Sequence, residues 1–255
     1  MPNPAADAYL ANILTREAVD TSQFSPVRHV ASTLAPIIQS WAGSQLLSVT
    51  PSGSFAKGTA NKSATDIDLF ISMSDTTTNT LKEIYDTLTD AVRSAGYAPR
   101  TQNVSIRIKV NGYTVDLVPG KRQTAFTSDH SLFRTKTGTW TKTNVGTHIS
   151  TVIAGGRTAE SRILKLWRDQ NGLDFPSFYI ELTTIAALAG SYGSLSDNVW
   201  RVFQYLRDSF ANARVVDPAN FANILSDDLT VAEKAAIKVA AVAAIGADTW
   251  GKIVR

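Results

Sequence analysis

The segment that decides the fold is PSGSFAKGTANKSATDIDLF, Pro51 to Phe70. Its second half, Asp66-Ile67-Asp68-Leu69-Phe70, alternates polar and apolar residues and reads as a strand. Side chains two apart on a strand share a face, so Asp66 and Asp68 point the same way, roughly 6.5–7 Å apart along the chain. Ile67 and Leu69 point to the other face and anchor the strand in a core. Two carboxylates held side by side repel unless a proton or a cation neutralises them, which a segment built only to fold has no reason to provide. Its first half holds a Gly-Ser turn. Gly53 permits close approach of the backbone to a ligand, and Ser54 donates from both N–H and hydroxyl, a pattern suited to phosphate.

A second segment adds to the first. VSIRIKV-NG-YTVDLVP (104–119) alternates at Val104, Ile106, Ile108 and Val110, and Asn111-Gly112 is the preferred two-residue hairpin turn. A two-residue loop fixes the register: Val110 opposite Tyr113, Lys109 opposite Thr114, Ile108 opposite Val115, and Arg107 opposite Asp116. Arg107 and Asp116 then share the polar face as cross-strand neighbours, and the hairpin delivers a third aspartate. Three carboxylates suit hard cations with oxygen ligands, Mg²⁺ or Mn²⁺, and leave room for two ions of the kind that serve phosphoryl transfer. Arg107 reads equally as a neutraliser of Asp116 and as a solvated strand residue.

Outward from these segments, Ser25-Pro26 reads as the start of a helix with Val27, Val30, Leu34, Ile38 and Trp41 on its apolar stripe. Pro36 is expected to kink or divide it. QLLSVT (45–50) and DIDLFIS (66–72) read as strands, and Leu81 to Val92 as a helix. Residues 120–150 read as polar and irregular. From about 157 the pattern is helical, with stops at Gly172 and Gly190 and a Thr230–Glu233 capping box ahead of an Ala-rich helix. The expectation is an α+β fold of two lobes with a cleft between them: a mixed-sheet catalytic core with N-terminal helices over 1–150, and a helical lobe over 151–255.

The 255 residues include no cysteine and three histidines, with a net charge of +3. That excludes disulfides, thiolate metal sites and cysteine nucleophiles. No apolar run reaches the roughly 18–20 residues of a membrane span, and the N-terminus lacks the pattern of a signal peptide, so the cytoplasm is the default location. The small positive excess suits an anionic ligand and does not mark a surface for double-stranded nucleic acid.

GSFAKGT…TDIDLF followed by VDLVP resembles the signature of the polymerase-β-type nucleotidyltransferase superfamily. RILKLWRDQNGLDFPSFYIEL, DPANFANILSDDLT and TWTKTNVGTHI resemble the oligoadenylate synthetases and the bacterial cyclic-oligonucleotide synthases (CD-NTases). The resemblance implies a nucleotidyltransferase in which Asp66, Asp68 and Asp116 bind two Mg²⁺ or Mn²⁺ ions and Asp116 helps deprotonate the attacking hydroxyl. It implies that Gly53 and Ser54 hold the triphosphate of ATP or another ribonucleoside triphosphate, and that Lys165 reaches it from the helical lobe. Ser177 would contact phosphate and Phe178 would stack on the donor base. Read from the residues alone, Lys165 is the polar face of an amphipathic helix, Ser177 a helix cap, Phe178 core and Lys57 a solvent-facing side chain. The implied product is a cyclic or linear oligonucleotide, which in bacteria serves antiphage signalling. The alternatives are the same chemistry on a tRNA end, a small molecule or a protein, or a catalytically dead nucleotide sensor.

Overall fold

The computed structural model describes residues 4–20, 22, 24–64 and 66–255. Along the chain come α1 (Pro4–Arg16), α2 (Pro26–Ala42), β1 (Leu46–Pro51), the single-turn α3 (Gly53–Ala56), β2 (Ile67–Met73) and α4 (Leu81–Ser94). Next are β3 (Arg100–Thr101), β4 (Ile106–Val110), β5 (Tyr113–Arg122), β6 (His130–Arg134) and β7 (Thr139–Thr143). The remainder is α5 (Val145–Gly155), α6 (Thr158–Gln170), α7 (Ser177–Ala187), α8 (Leu195–Asp208), β8 (Val216–Asp217), β9 (Asn220–Ile224), α9 (Val231–Ile245) and α10 (Trp250–Ile253). The α+β class read in the sequence is the observed one.

Two compact units emerge, and they interleave in sequence: residues 20–56 with 65–149, and residues 1–19 with 57–64 and 150–255. The division differs from two consecutive spans meeting near residue 150. Leu10 and Ile13 of α1 are buried in the same apolar cluster as Trp167 and Phe203, which ties the first helix to the C-terminal ones.

The sheet unit has strand order β1-β2-β5-β4-β3, with β6 added to the end of β5 and β7 to β6. β2 and β5 run parallel and the other pairs antiparallel. One face carries Ile67, Leu69, Ile71, Val115 and Leu117, packed with Val30, Leu34 and Ile38 of α2 and Ile84 and Leu88 of α4. Ser25 caps α2, accepting a hydrogen bond from the Arg28 N–H. Pro36 lies inside α2 without ending it: apolar side chains on both sides of the proline keep the helix seated. Asn111 (φ 51°) and Gly112 (φ 86°) are both left-handed, as a type I′ turn demands, and the expected register holds pair for pair. Val104 falls short of β4, which starts at Ile106. The segment expected to be irregular holds the β6–β7 hairpin and the start of α5.

In the helical unit, Trp167, Tyr179, Phe203 and Phe210 form the buried centre, with Phe175, Tyr179 and Phe210 ring to ring at 5.0–5.3 Å. Thr230 and Glu233 form the capping box of α9. Among the described residues, no helix is long and apolar enough to cross a membrane.

Candidate active site

Register places four charged residues of the sheet unit in one row. Asp68 lies beside Asp116 across the parallel β2–β5 pair, Asp116 opposite Arg107, and Arg107 opposite Arg100. Asp66 directly precedes β2, so the strand is one residue shorter than expected at that end. Arg107 binds two of the three carboxylates. Its Nε donates to Asp116 Oδ1 at 2.9 Å, and its Nη2 donates to Asp116 Oδ2 at 2.7 Å and to Asp66 Oδ2 at 2.6 Å. The Asp116 side chain is 9% exposed and that of Asp66 45%. Burial raises the Asp66 pKa, Arg107 works against the rise, and Asp116 adds to it. The Asp116 hydrogen bond raises that of Arg107 further above its ordinary value. Of the two readings of Arg107, the neutraliser is the one the geometry adopts.

The Gly-Ser turn packs directly on this row. The Ser52 N–H donates to the Asp68 carbonyl oxygen at 2.8 Å, and α3 opens at Gly53 with φ 57°. A Cβ on Gly53 would stand 1.7 Å from Asp68 Oδ2. The glycine is therefore required twice, for its left-handed backbone and for the space the carboxylate fills. Gly53→Ala is expected to push the Asp68 side chain off its rotamer and lower turnover about 100-fold, the effect of a misplacement of roughly 1 Å. Circular dichroism should show the fold intact; an alanine variant with wild-type turnover would remove Asp68 from the site.

Three oxygen-donor carboxylates on one sheet face are a donor set that fits a hard divalent cation. As the side chains stand, no three such groups among the described residues are gathered closely enough to hold an ion. The guanidinium of Arg107 supplies the positive charge between Asp66 and Asp116.

The helical unit holds a second ionic cluster. Glu181 is fully buried, and Lys57, Lys165 and Thr59 are all at most 7% exposed. Lys57 Nζ donates to Glu181 Oε2 and Lys165 Nζ to Oε1, each at 2.5 Å. The Thr59 hydroxyl also donates to Oε1, at 2.5 Å, and accepts from Lys165 Nζ at 2.8 Å. Burial alone would raise the Glu181 pKa; Lys165 and Lys57 more than reverse it, and the net shift is downward. Burial lowers Lys165 to about 8, with Glu181 opposing. Lys57 is thus no solvent-facing side chain. Its Nζ also lies 4.8 Å from the centre of the Phe178 ring, a cation–π contact. Ser177 is the first residue of α7, after Pro176 at the cap position; its hydroxyl accepts from Arg168 Nη1 at 3.0 Å, apart from the Lys165 cluster.

The depressed Lys165 pKa carries a sign for stability. An unfolded lysine keeps its proton up to about 10.4, whereas the folded one releases it near 8. Between these values the unfolded chain binds more protons, so this residue's contribution to stability rises with pH. Urea unfolding at pH 7 to 10 should show wild type gaining relative to Lys165→Met across that window. A wild type that loses stability relative to Lys165→Met as the pH rises would contradict the lowered Lys165 pKa.

Glu181 and Thr59 were not singled out from sequence. The available signal was a lone carboxylate within the otherwise apolar run FYIELTTIA.

Residues 37–121 match the model of the nucleotidyltransferase domain family. The chain is 28% identical over 193 residues to a cyclic AMP-AMP-AMP synthase of Escherichia coli (strain MS 115-1), a match covering 67% of this chain and 60% of that protein. The structure of CdnC of E. coli MS115-1 with ATP superposes with a TM-score of 0.78 at 22% identity, covering 94% of this chain and 90% of that one. A Cid1 poly(U) polymerase bound to MgATP superposes with a TM-score of 0.70 at 12% identity, covering 97% and 96%. The fold is that of these nucleotidyltransferases, and the resemblance read from GSFAKGT, TDIDLF and VDLVP is borne out.

Proposed function

We propose that this chain, which carries a nucleotidyltransferase domain and the nucleotidyltransferase fold, joins ribonucleoside triphosphates with release of pyrophosphate, to make a short cyclic or linear oligonucleotide. The observation that carries the reading is the registered row of Asp68 and Asp116 with Asp66 beside it, closed on one side by Gly53. Asp66, Asp68 and Asp116 would hold Mg²⁺ or Mn²⁺, two ions, which neutralise triphosphate charge and acidify a ribose hydroxyl. Asp116 would complete the metal site and, as the family resemblance implies, help deprotonate the attacking hydroxyl. Gly53 and Ser54 would cradle the donor triphosphate with backbone N–H groups and the Ser54 hydroxyl. The family resemblance assigns Lys165 to the triphosphate, Ser177 to a phosphate and Phe178 to the donor base; Lys165 would have to leave Glu181 and Thr59, which hold its ammonium here, to take that role. By likeness to the E. coli cyclic AMP-AMP-AMP synthase, the product would be a cyclic oligonucleotide, and the family resemblance would set it in antiphage signalling in the cytoplasm.

The fold shared with a poly(U) polymerase favours one second reading, transfer to the end of an RNA. Partition of label separates the two. Protein, α-labelled triphosphates, Mg²⁺ and cell RNA are incubated together and then fractionated by size. Label in a phosphatase-resistant small product supports the oligonucleotide synthase; label on RNA overturns it in favour of the terminal transferase.

A further inference from the structure

On the carboxylate face, the sheet's outer half holds more positive charge than its aspartates use. Register gives two neighbouring rows, Arg100–Arg107–Asp116–Asp68 and Lys109–Thr114. Arg107 is committed to Asp116 and Asp66. Arg100 and Lys109 are exposed and form no ion pair among the described residues. Arg100 stands directly opposite Arg107, and like charges directly opposite destabilise a strand pair. A groove of about 590 Å³ runs along them, lined by Tyr97, Arg100, Arg107, Lys109 and Thr114. A lysine on a sheet edge also discourages pairing with another chain; that role does not call for two arginines directly opposite each other.

We propose that Arg100 and Lys109 bind the phosphates of the acceptor strand, the nucleotide or short oligonucleotide whose hydroxyl attacks. The inference rests on the reading of the three aspartates as the site of transfer. Strands lie about 4.8 Å apart, so the Arg100 Cα is roughly 10 Å from that of Asp116. An arginine side chain reaching back from there covers the distance between a ribose hydroxyl at Asp116 and the phosphate of the same nucleotide. The chemistry selected is a single-stranded phosphate backbone held by point charges and a guanidinium fork, without base readout.

The test measures binding rather than turnover. A fluorescein-labelled, 5′-phosphorylated adenosine trinucleotide is titrated with the full chain in EDTA, from 25 to 200 mM KCl. The variant Arg100→Gln with Lys109→Gln should bind at least about tenfold more weakly at low salt. Its slope of log affinity against log salt should be smaller by about 1.4, two phosphate contacts at about 0.7 each. The charge-keeping variant Arg100→Lys with Lys109→Arg should restore the wild-type slope. Unchanged affinity and slope in the glutamine variant overturn the proposal, as does an equal loss for ATP alone, which would place the two cations on the donor. Both residues are exposed, so folding is not at stake. Failure of the catalytic reading shows separately, as pyrophosphate release that Asp68→Asn leaves untouched.

Discussion

Asp68→Asn is expected to lower pyrophosphate release from ribonucleoside triphosphates by at least about 10³-fold while leaving the unfolding midpoint at or above that of wild type. A loss of that size is about 4 kcal/mol of transition-state stabilisation at 1.36 kcal/mol per decade. It is the scale expected when a charged oxygen ligand becomes a neutral amide at a centre whose work is electrostatic. Stability moves the other way because Asp68 stands beside Asp116 in register, and removing one of two adjacent like charges relieves repulsion that outweighs the lost attraction to Arg107. Asp116→Asn should abolish release as well, but at some cost in stability. Its carboxylate is 9% exposed and takes two hydrogen bonds from Arg107. The contrast between the two variants separates a catalytic role from a structural one. A decrease under tenfold in Asp68→Asn would remove that carboxylate from the chemistry.

Glu181→Gln is the second large effect, and it is on the fold. The substitution keeps volume and removes the charge that two buried lysines share. Breaking a buried ion pair by removing one partner costs about 3–5 kcal/mol, because the remaining charge stays desolvated. Here two remain. The loss should appear in urea unfolding followed by tryptophan fluorescence, since Trp167 is buried in the same unit as Glu181. Adding Lys57→Met to Glu181→Gln should recover part of the loss, as one surplus cation disappears. Destabilisation below about 1 kcal/mol would mean that the lysines release their protons or reach solvent at little cost.

The parts of this molecule that sequence reading reached are those set by local rules. The Asn111-Gly112 turn leaves no freedom in register, so the pairing of Arg107 with Asp116 follows from counting. The capping residues Ser25 and Thr230 mark helix starts because side-chain oxygens there satisfy otherwise unpaired N–H groups. The β6–β7 hairpin escaped because its strands, HSLFR and TWTKT, bury few side chains and carry threonines that also suit loops. The interleaving of the two units escaped for a different reason. Residues 57–64 belong with helices a hundred residues away, and no local pattern encodes that. Lys57 illustrates the consequence. Its partner Glu181 lies 124 positions along the chain, so sequence alone offered solvent as its simplest surroundings. Of the proposed site, the aspartates and Gly53 were legible because their chemistry is unusual for a strand and a turn. The Lys165–Glu181 pairing was hidden within an ordinary amphipathic pattern.

The stoichiometry of the reaction itself decides whether the three aspartates join nucleotides. Purified protein is incubated with all four α-labelled ribonucleoside triphosphates and Mg²⁺ or Mn²⁺. Pyrophosphate is counted, and the phosphatase-resistant product is weighed by mass spectrometry. One pyrophosphate is expected for each phosphodiester bond in the product, with both lost together in Asp68→Asn. Triphosphate consumed to diphosphate and orthophosphate, or pyrophosphate release that survives Asp68→Asn, would contradict it.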